Sequence, residues 1–164
     1  MASMSGVAAN DSCVGMWEKL KAGKIKSCQF KVENKEIVPI EESVQEKGAP
    51  DAWKSFTQSL PESECRYAIY DVAIKLDMGP GVPAGERTKL TFIIWSPDSA
   101  PIRQKMVSAS SKDALKKKFE GIQVEWQLTS PEDLDASDRI SDLSTKSDIK
   151  TSGRGILSFE GIAA

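Results

Sequence analysis

Ile102, Arg103, Lys105 and Met106, followed by Lys112, Asp113, Lys116 and Lys117, are the residues of this chain best placed to do chemistry, and that chemistry is contact. At about 100° of rotation per residue on a helix from Pro101 to about Glu120, Val107, Ala114, Leu115 and Phe119 gather on one side, with Ser108 and Ser111 between them. Ile102, Met106 and Ala109 gather on the opposite side, interleaved with Lys105, Lys112, Asp113 and Lys116. A helix with one core needs one apolar face. The second face, ringed by cations, has the composition of a ridge for docking another protein, and the flexible thioether of Met106 suits a partner's groove. Two blander readings stand beside it. A lysine run is commonly a solvated helix face. Ser108 to Ser111 also has modest helix propensity and could end one helix, with Ser110 and Asp113 capping a second, which would divide the two apolar faces between two elements.

Catalysis finds little support in the residues. The chain has no histidine, which removes Ser-His-Asp and Cys-His catalysis, histidine metal sites and an imidazole switch. Asp98, Asp113, Glu132 and Asp133 supply carboxylates, but nothing places two of them around a substrate, and there is no phosphate loop or metal-spaced cluster. The expectation is a protein that is not an enzyme and needs no cofactor or metal. Cys13, Cys28 and Cys65 show no CxxC spacing and read as reduced thiols, more often buried and structural than reactive.

The length of 164 residues suits one domain with one sizeable core. Net charge is −2, so the molecule as a whole is not a polyanion or nucleic-acid binder. The charge is uneven, with eight Lys/Arg against three Asp/Glu from Arg87 to Gly121 and four against seven from Ser130 onward. A basic middle beside an acidic end can orient one acidic partner. No apolar run approaches the ~18 residues of a membrane span, residues 1–10 lack the features of a secretory signal, and Lys21 to Lys26 is too sparse to specify nuclear entry. A cytoplasmic protein is expected.

The elements that must carry the ridge follow from periodicity and turn residues. Asp11 or Ser12 can cap a first helix with Val14, Trp17 and Leu20 as its apolar stripe, ended by Gly23. Cys28–Val32 alternates as a strand, and Asn34-Lys35 turns into a second strand over Glu36–Ile40. A polar loop then leads to Asp51, which can cap a short helix with Trp53, Phe56 and Leu60. Arg66–Leu76 and Thr88–Trp95 are strands joined by a Gly/Pro-rich loop over residues 77–86, a hairpin with its tip in solvent. Ile122–Leu128 alternates as a further strand, and Ser130-Pro131 starts a final acidic helix through Leu143. Gly155–Phe159 either adds a short strand or belongs to a loose tail. The layout predicts an α/β domain, a mixed sheet covered by helices, with an arm over 1–10, a domain over 11–144 and an extension of unassigned role over 145–164.

Several segments resemble the actin-depolymerising factor/cofilin family. They are Ser5-Gly-Val7 with Asp11-Ser-Cys13, Leu60-Pro-Glu-Ser-Glu-Cys-Arg-Tyr-Ala-Ile-Tyr-Asp71, Trp95-Ser-Pro-Asp-Ser-Ala-Pro101, Lys105-Met106, Ala109-Ser-Ser-Lys-Asp-Ala-Leu-Lys-Lys-Lys118 and Gly121-Ile122. The likeness spans residues 3–143, and several long motifs occur in order. It implies one ADF-homology (gelsolin-like) domain with a central mixed sheet of five to six strands flanked by helices on both faces. It implies binding to monomeric and filamentous actin, ADP-actin preferred, with filament severing and depolymerisation, by a monomer. By position it assigns Ser5, Gly6, Arg103, Lys105, Met106, Lys112, Asp113, Lys116 and Lys117 to the monomer-and-filament surface. Arg87 and Lys89, with Arg139, fall on the filament-specific surface. Lys105, Lys112, Lys116 and Lys117 would hold phosphatidylinositol bisphosphate headgroups. Ser5, with Ser3 as rival, is the implied phosphorylation site, where roughly −1.5 to −2 charges would repel an acidic partner. Three departures qualify the likeness. Ser108 stands where the family usually has Tyr, Ser141-Asp142 stands where many members carry cations, and residues 145–164 reach beyond most members. Two alternatives remain, a monomer-sequestering protein with weak filament binding and a phosphoinositide-binding adaptor.

Overall fold

The computed structural model describes residues 6–146, 149 and 155–163. Its backbone is a strand of eleven residues, β4, over Arg66–Leu76, paired antiparallel along its whole length with β5, over Gly85–Trp95, from Arg66↔Trp95 to Leu76↔Gly85. The Gly/Pro-rich composition sets the loop between them, but β5 begins three residues before the expected Thr88. An eleven-residue β4 offers unpaired backbone groups there, and pairing them outweighs the weak strand preference of Gly85.

The two faces of this hairpin are buried against different helices. Tyr67 and Ile69 of β4 join Phe92 and Ile94 of β5 on one face. Ala68, Tyr70, Val72 and Ile74 join Ile93 and Trp95 on the other. That two-residue alternation is the strand pleat. The first face is covered by Cys13, Trp17 and Leu20 of α1, over Ser12–Lys21, and by Leu115 of α3, over Ile102–Lys116. The second is covered by Trp53 and Phe56 of α2, over Ala52–Ser59, and by Leu143 of α4, over Ala136–Leu143.

The remaining strands complete a mixed sheet. β1 spans Ala8–Ala9, β2 spans Ile25–Glu33, β3 spans Glu36–Glu46 and β6 spans Val124–Leu128, in spatial order β1-β3-β2-β4-β5-β6. β1 runs parallel to β3 and β6 parallel to β5; the other pairs on this path are antiparallel. Asn34 and Lys35 adopt φ of 52° and 60°, the backbone of a tight two-residue hairpin turn. β3 extends through residues expected to form a polar loop, because β2 is itself nine residues long and offers partners as far as Ile25↔Glu46.

Some expected helix ends are corrected. Asn10, rather than Asp11 or Ser12, satisfies the start of α1, its Oδ1 accepting from Ser12 N at 2.8 Å. Gly23 does end it, at φ 76°, with Gly23 N donating to Leu20 O and Lys24 N to Lys19 O. Asp51 precedes α2 but makes no side-chain cap. The acidic helix expected from Pro131 is two pieces, a 3₁₀ turn over Pro131–Leu134 and then α4. Asp135 divides them, its side chain accepting from Ser137 N as the cap of α4.

Past residue 144 the chain returns to the sheet. β7, over Ile156–Phe159, pairs antiparallel with β4 at Ile74–Leu76, on the edge that β2 occupies at Tyr67–Tyr70, and β8, over Ile162–Ala163, pairs with β7. Phe159 is fully buried, 5.0 Å from the Trp53 ring in a T-shaped contact. Of the two expectations for Gly155–Phe159, the docked strand is the one realised.

Candidate protein-docking site

The ridge stands on α3, which is one unbroken helix of 15 residues. The expected alternative of a break at Ser108–Ser111 is not what forms. Ser108 and Ser111 are buried with Ala114 and Leu115 and hold the middle of the helix to the sheet, and Tyr67 OH donates to the Ser108 carbonyl. Ser110 donates its hydroxyl back to Met106 O at 2.9 Å rather than capping a second helix. The helix stops at Lys116, four residues short of the expected Glu120. Its last turns tighten through Lys118 N→Leu115 O and Phe119 N→Lys116 O, which turns Phe119 in to stack on Trp17 with ring centroids 5.0 Å apart.

The outward face carries the expected apolar residues. Ile102 is 74% exposed and Met106 66%, more than any other large hydrophobic side chain among the described residues. They lie four residues apart, one turn along a single side of α3. Arg103, Ala109, Asp113, Lys116 and Lys117 are exposed around them, while Lys105 and Lys112 are half-buried at the flank. Two of the cations are already engaged. Lys105 Nζ donates to Asp98 O at 2.6 Å. Lys116 Nζ pairs with Glu125 at 2.8 Å, and that hydrogen bond moves its pKa upward.

Residues 6–9 lie alongside α3. Gly6 is exposed at φ 78°, Val7 is buried, and β1 packs near α3. The arm expected over 1–10 is therefore held from Val7 onward. Sequence patterning missed this, because Val7-Ala8-Ala9 is too short for periodicity to register. Trp17 Nε1 donates to Glu120 O at 2.8 Å, and Lys118 lies 3.6 Å from Asp11, so α1 and the end of α3 are joined. Ser3 and Ser5 lie outside the described residues.

The residues expected on the filament-specific surface do not gather in the same way. Arg87 is exposed near the hairpin tip, whose residues 80–84 are also exposed. Lys89 is 8% exposed, so it is not the surface cation that the resemblance implied. Further along β5 Thr91 is fully buried, and Gln123 Oε1 accepts from Leu90 N at 2.9 Å. Arg139 is half-buried, its guanidinium 4.8 Å from the Trp126 ring centre and its Nε enclosed without a hydrogen-bond partner among the described residues. Trp126 Nε1 donates to Asp142 at 2.6 Å, so Asp142 is used within the fold.

Residues 6–144 match the family described as "Cofilin/tropomyosin-type actin-binding protein". The chain belongs to the cofilin/ADF family. Among its relatives in that family, actophorin of Acanthamoeba castellanii is 40% identical over 90% of this chain and all of its own length. The cofilin of Yarrowia lipolytica is 42% identical over 77% of this chain and 79% of its own. Solved cofilin/ADF folds superpose closely. A structure described as Streptomyces griseoflavus cofilin gives a TM-score of 0.71 at 37% identity over 85% of this chain and 98% of that one. Plasmodium berghei actin depolymerization factor 2 gives 0.69 at 27% identity over 87% and 97%. The mixed sheet flanked by α1 and α3 on one face and α2 and α4 on the other is thus the cofilin/ADF fold. None of its helices is long and apolar enough to cross a membrane, among the described residues.

Proposed function

We propose that this protein binds monomeric and filamentous actin in the cytoplasm, prefers ADP-actin, and promotes filament severing and depolymerisation. The observation that carries this reading is the outward placement of Ile102 and Met106 on α3, ringed by Arg103, Lys105, Lys112, Asp113, Lys116 and Lys117. Exposed apolar side chains at a one-turn spacing supply contact area that is desolvated on docking, and the surrounding cations speed encounter with an acidic surface. Severing requires no bond chemistry, since a ligand with differential affinity for an altered filament twist shifts the filament toward that twist. The same lysines, Lys105, Lys112, Lys116 and Lys117, would bind phosphatidylinositol bisphosphate in competition with actin. Phosphorylation at Ser5 or Ser3 would add negative charge, which would repel an acidic partner and weaken docking.

The deciding experiment is real-time imaging of labelled filaments with wild type and a Lys112→Ala/Lys116→Ala variant. Wild type is expected to sever and the variant to lose most of that activity; equal severing by both would remove α3 from the site. A second reading, monomer sequestration with weak filament binding, is favoured by the burial of Lys89 and the stacking of Arg139 on Trp126, which leave Arg87 as the exposed cation of the implied filament set. Co-sedimentation separates the two, since a pure sequesterer stays in the supernatant.

A further inference from the structure

The stretch of β4 that the end of the chain closes off holds a second carboxylate. Asp71 follows Tyr70 on β4, and the β2–β4 register ends at Ser27↔Tyr70, which sets Lys26 level with it. Glu160 and Gly161, at φ 50° and 80°, make the two-residue turn between β7 and β8. That turn delivers the Glu160 carboxylate to the same place, where Oε2 lies 2.7 Å from Lys26 Nζ and Oε1 accepts from Tyr70 OH. Asp71 is served less well. Its Oδ1 is enclosed and has no hydrogen-bond partner among the described residues. Buried polar side-chain atoms are almost always paired, and an ionised one left without a partner is costly.

The charges that face Asp71 do not make up the difference. β2 offers Lys26, already engaged by Glu160, and the residue just past β3 is Lys47, which is exposed and therefore screened by water and salt. The β7–β8 turn brings Glu160, a like charge, and β4 adds Tyr70, whose hydroxyl is given to Glu160. β5 opposes Asp71 with Leu90, which carries no charge. Burial raises the Asp71 pKa above the ordinary aspartate range; Lys26 opposes that shift, Glu160 adds to it and Lys47 opposes it. Undocking the turn would remove the Glu160 carboxylate from Asp71 and admit water, so the docked form holds the proton more tightly. A group whose pKa is raised by docking strengthens docking fully below its ordinary value, and that contribution is lost as pH rises through the raised value. We propose that Asp71 is the proton-sensitive member of a latch, in which proton uptake by Asp71 tightens the docking of the β7–β8 hairpin on β4 and proton release loosens it. Ser158 and Gly161 line, with Arg87 and Thr88, a groove of about 170 Å³ at the base of the β4–β5 hairpin, so the latch also sets how firmly that groove is formed. The latch stands or falls independently of the actin reading.

The test follows the side-chain carboxyl carbons and backbone amides of the isotope-labelled full chain by NMR from about pH 4 to about pH 8. The Asp71 carboxyl is expected to titrate above the ordinary aspartate value of about 3.9, and the amides of Ser158, Glu160 and Gly161 should shift with the same midpoint. Hydrogen exchange then compares wild type with Asp71→Asn, which keeps the shape of the protonated acid. Near pH 8 the Glu160 amide, which donates to Ala73 O at 2.8 Å, should exchange about tenfold more slowly in the variant, the effect of about one pKa unit. Toward pH 4 the two proteins should exchange alike. The wild-type titration decides the matter even where the variant does not fold. An Asp71 carboxyl that titrates in the ordinary range, or β7–β8 amides that do not follow it, overturns the proposal. So does an Asp71→Asn protein whose Glu160 amide differs from wild type equally at both pH values, as a purely structural Asp71 would give, or not at all.

Discussion

Glu160 reaches back to Lys26, with Oε2 2.7 Å from the lysine Nζ and only 3% of the glutamate side chain exposed. The same carboxylate accepts from Tyr70 OH at 2.7 Å and from Ala73 N at 2.6 Å, while Glu160 N donates to Ala73 O at 2.8 Å. It occupies the gap on β4 between the end of β2 pairing and the start of β7 pairing. The extension past residue 144 therefore closes the sheet through one buried carboxylate. Burial, together with the proximity of that carboxylate, pushes the Tyr70 hydroxyl well above the usual tyrosine range.

Removing one member of this cluster should be costly. Glu160→Ala leaves Lys26, Tyr70 OH and the Ala73 amide without their acceptor, an expected loss of about 3 kcal/mol, since a broken buried pair strands its partner. Urea unfolding of Glu160→Ala beside a Lys26→Met/Glu160→Leu double variant checks this. The double variant, which leaves neither member of the Lys26–Glu160 pair as an unpartnered charge, should recover much of the loss. A Glu160→Ala protein as stable as wild type would show that the tail contributes nothing through this carboxylate.

Ile102 and Met106 should behave in the opposite way. Because both are mostly exposed, Ile102→Ala/Met106→Ala is expected to change folding stability by no more than about 0.5 kcal/mol. If they are docking contacts, actin affinity should fall at least tenfold in the same protein. Thermal unfolding and a monomer-binding titration, run on one preparation, separate the two effects. A large stability loss would mean that these side chains are structural.

The three thiols should divide by burial. Cys13 and Cys28 are fully enclosed, and burial pushes each thiol up to about 12, so neither forms appreciable thiolate near neutral pH. Cys65 is half-buried. A native-state titration with an aromatic disulfide reagent should report Cys65 quickly and the other two only after guanidinium unfolding. Rapid reaction of all three in the native protein would contradict the packing of α1 and β2.

Acid should weaken the turn before α4. Asp133 accepts from Thr129 N at 2.9 Å, and this bond, ahead of smaller contributions, lowers its pKa. A folded pKa below the unfolded one gives stability that is present above the ordinary aspartate range and lost as pH falls through the lowered value. Asp133→Asn should therefore cost up to about 1 kcal/mol near pH 7, kept small by solvent screening. Its difference from wild type should shrink toward pH 2–3, which paired unfolding curves at the two pH values would reveal.

By itself the sequence determined the alternation of Arg66–Leu76, the hairpin at Asn34-Lys35, the helix stop at Gly23 and the two faces of α3. Each is set by local spacing or by a residue with a backbone preference of its own. The matched motifs also carried the family. The tertiary structure alone decided that Ser108–Ser111 continues a helix, because burial against Tyr67 and the sheet overrides the modest propensity of serine. It buried Lys89 and stacked Arg139 on Trp126, since exposure depends on what a distant segment covers. It brought Glu160 to Lys26. Propensity acts over a few residues, whereas desolvation and ion pairing arise between residues that only folding brings together.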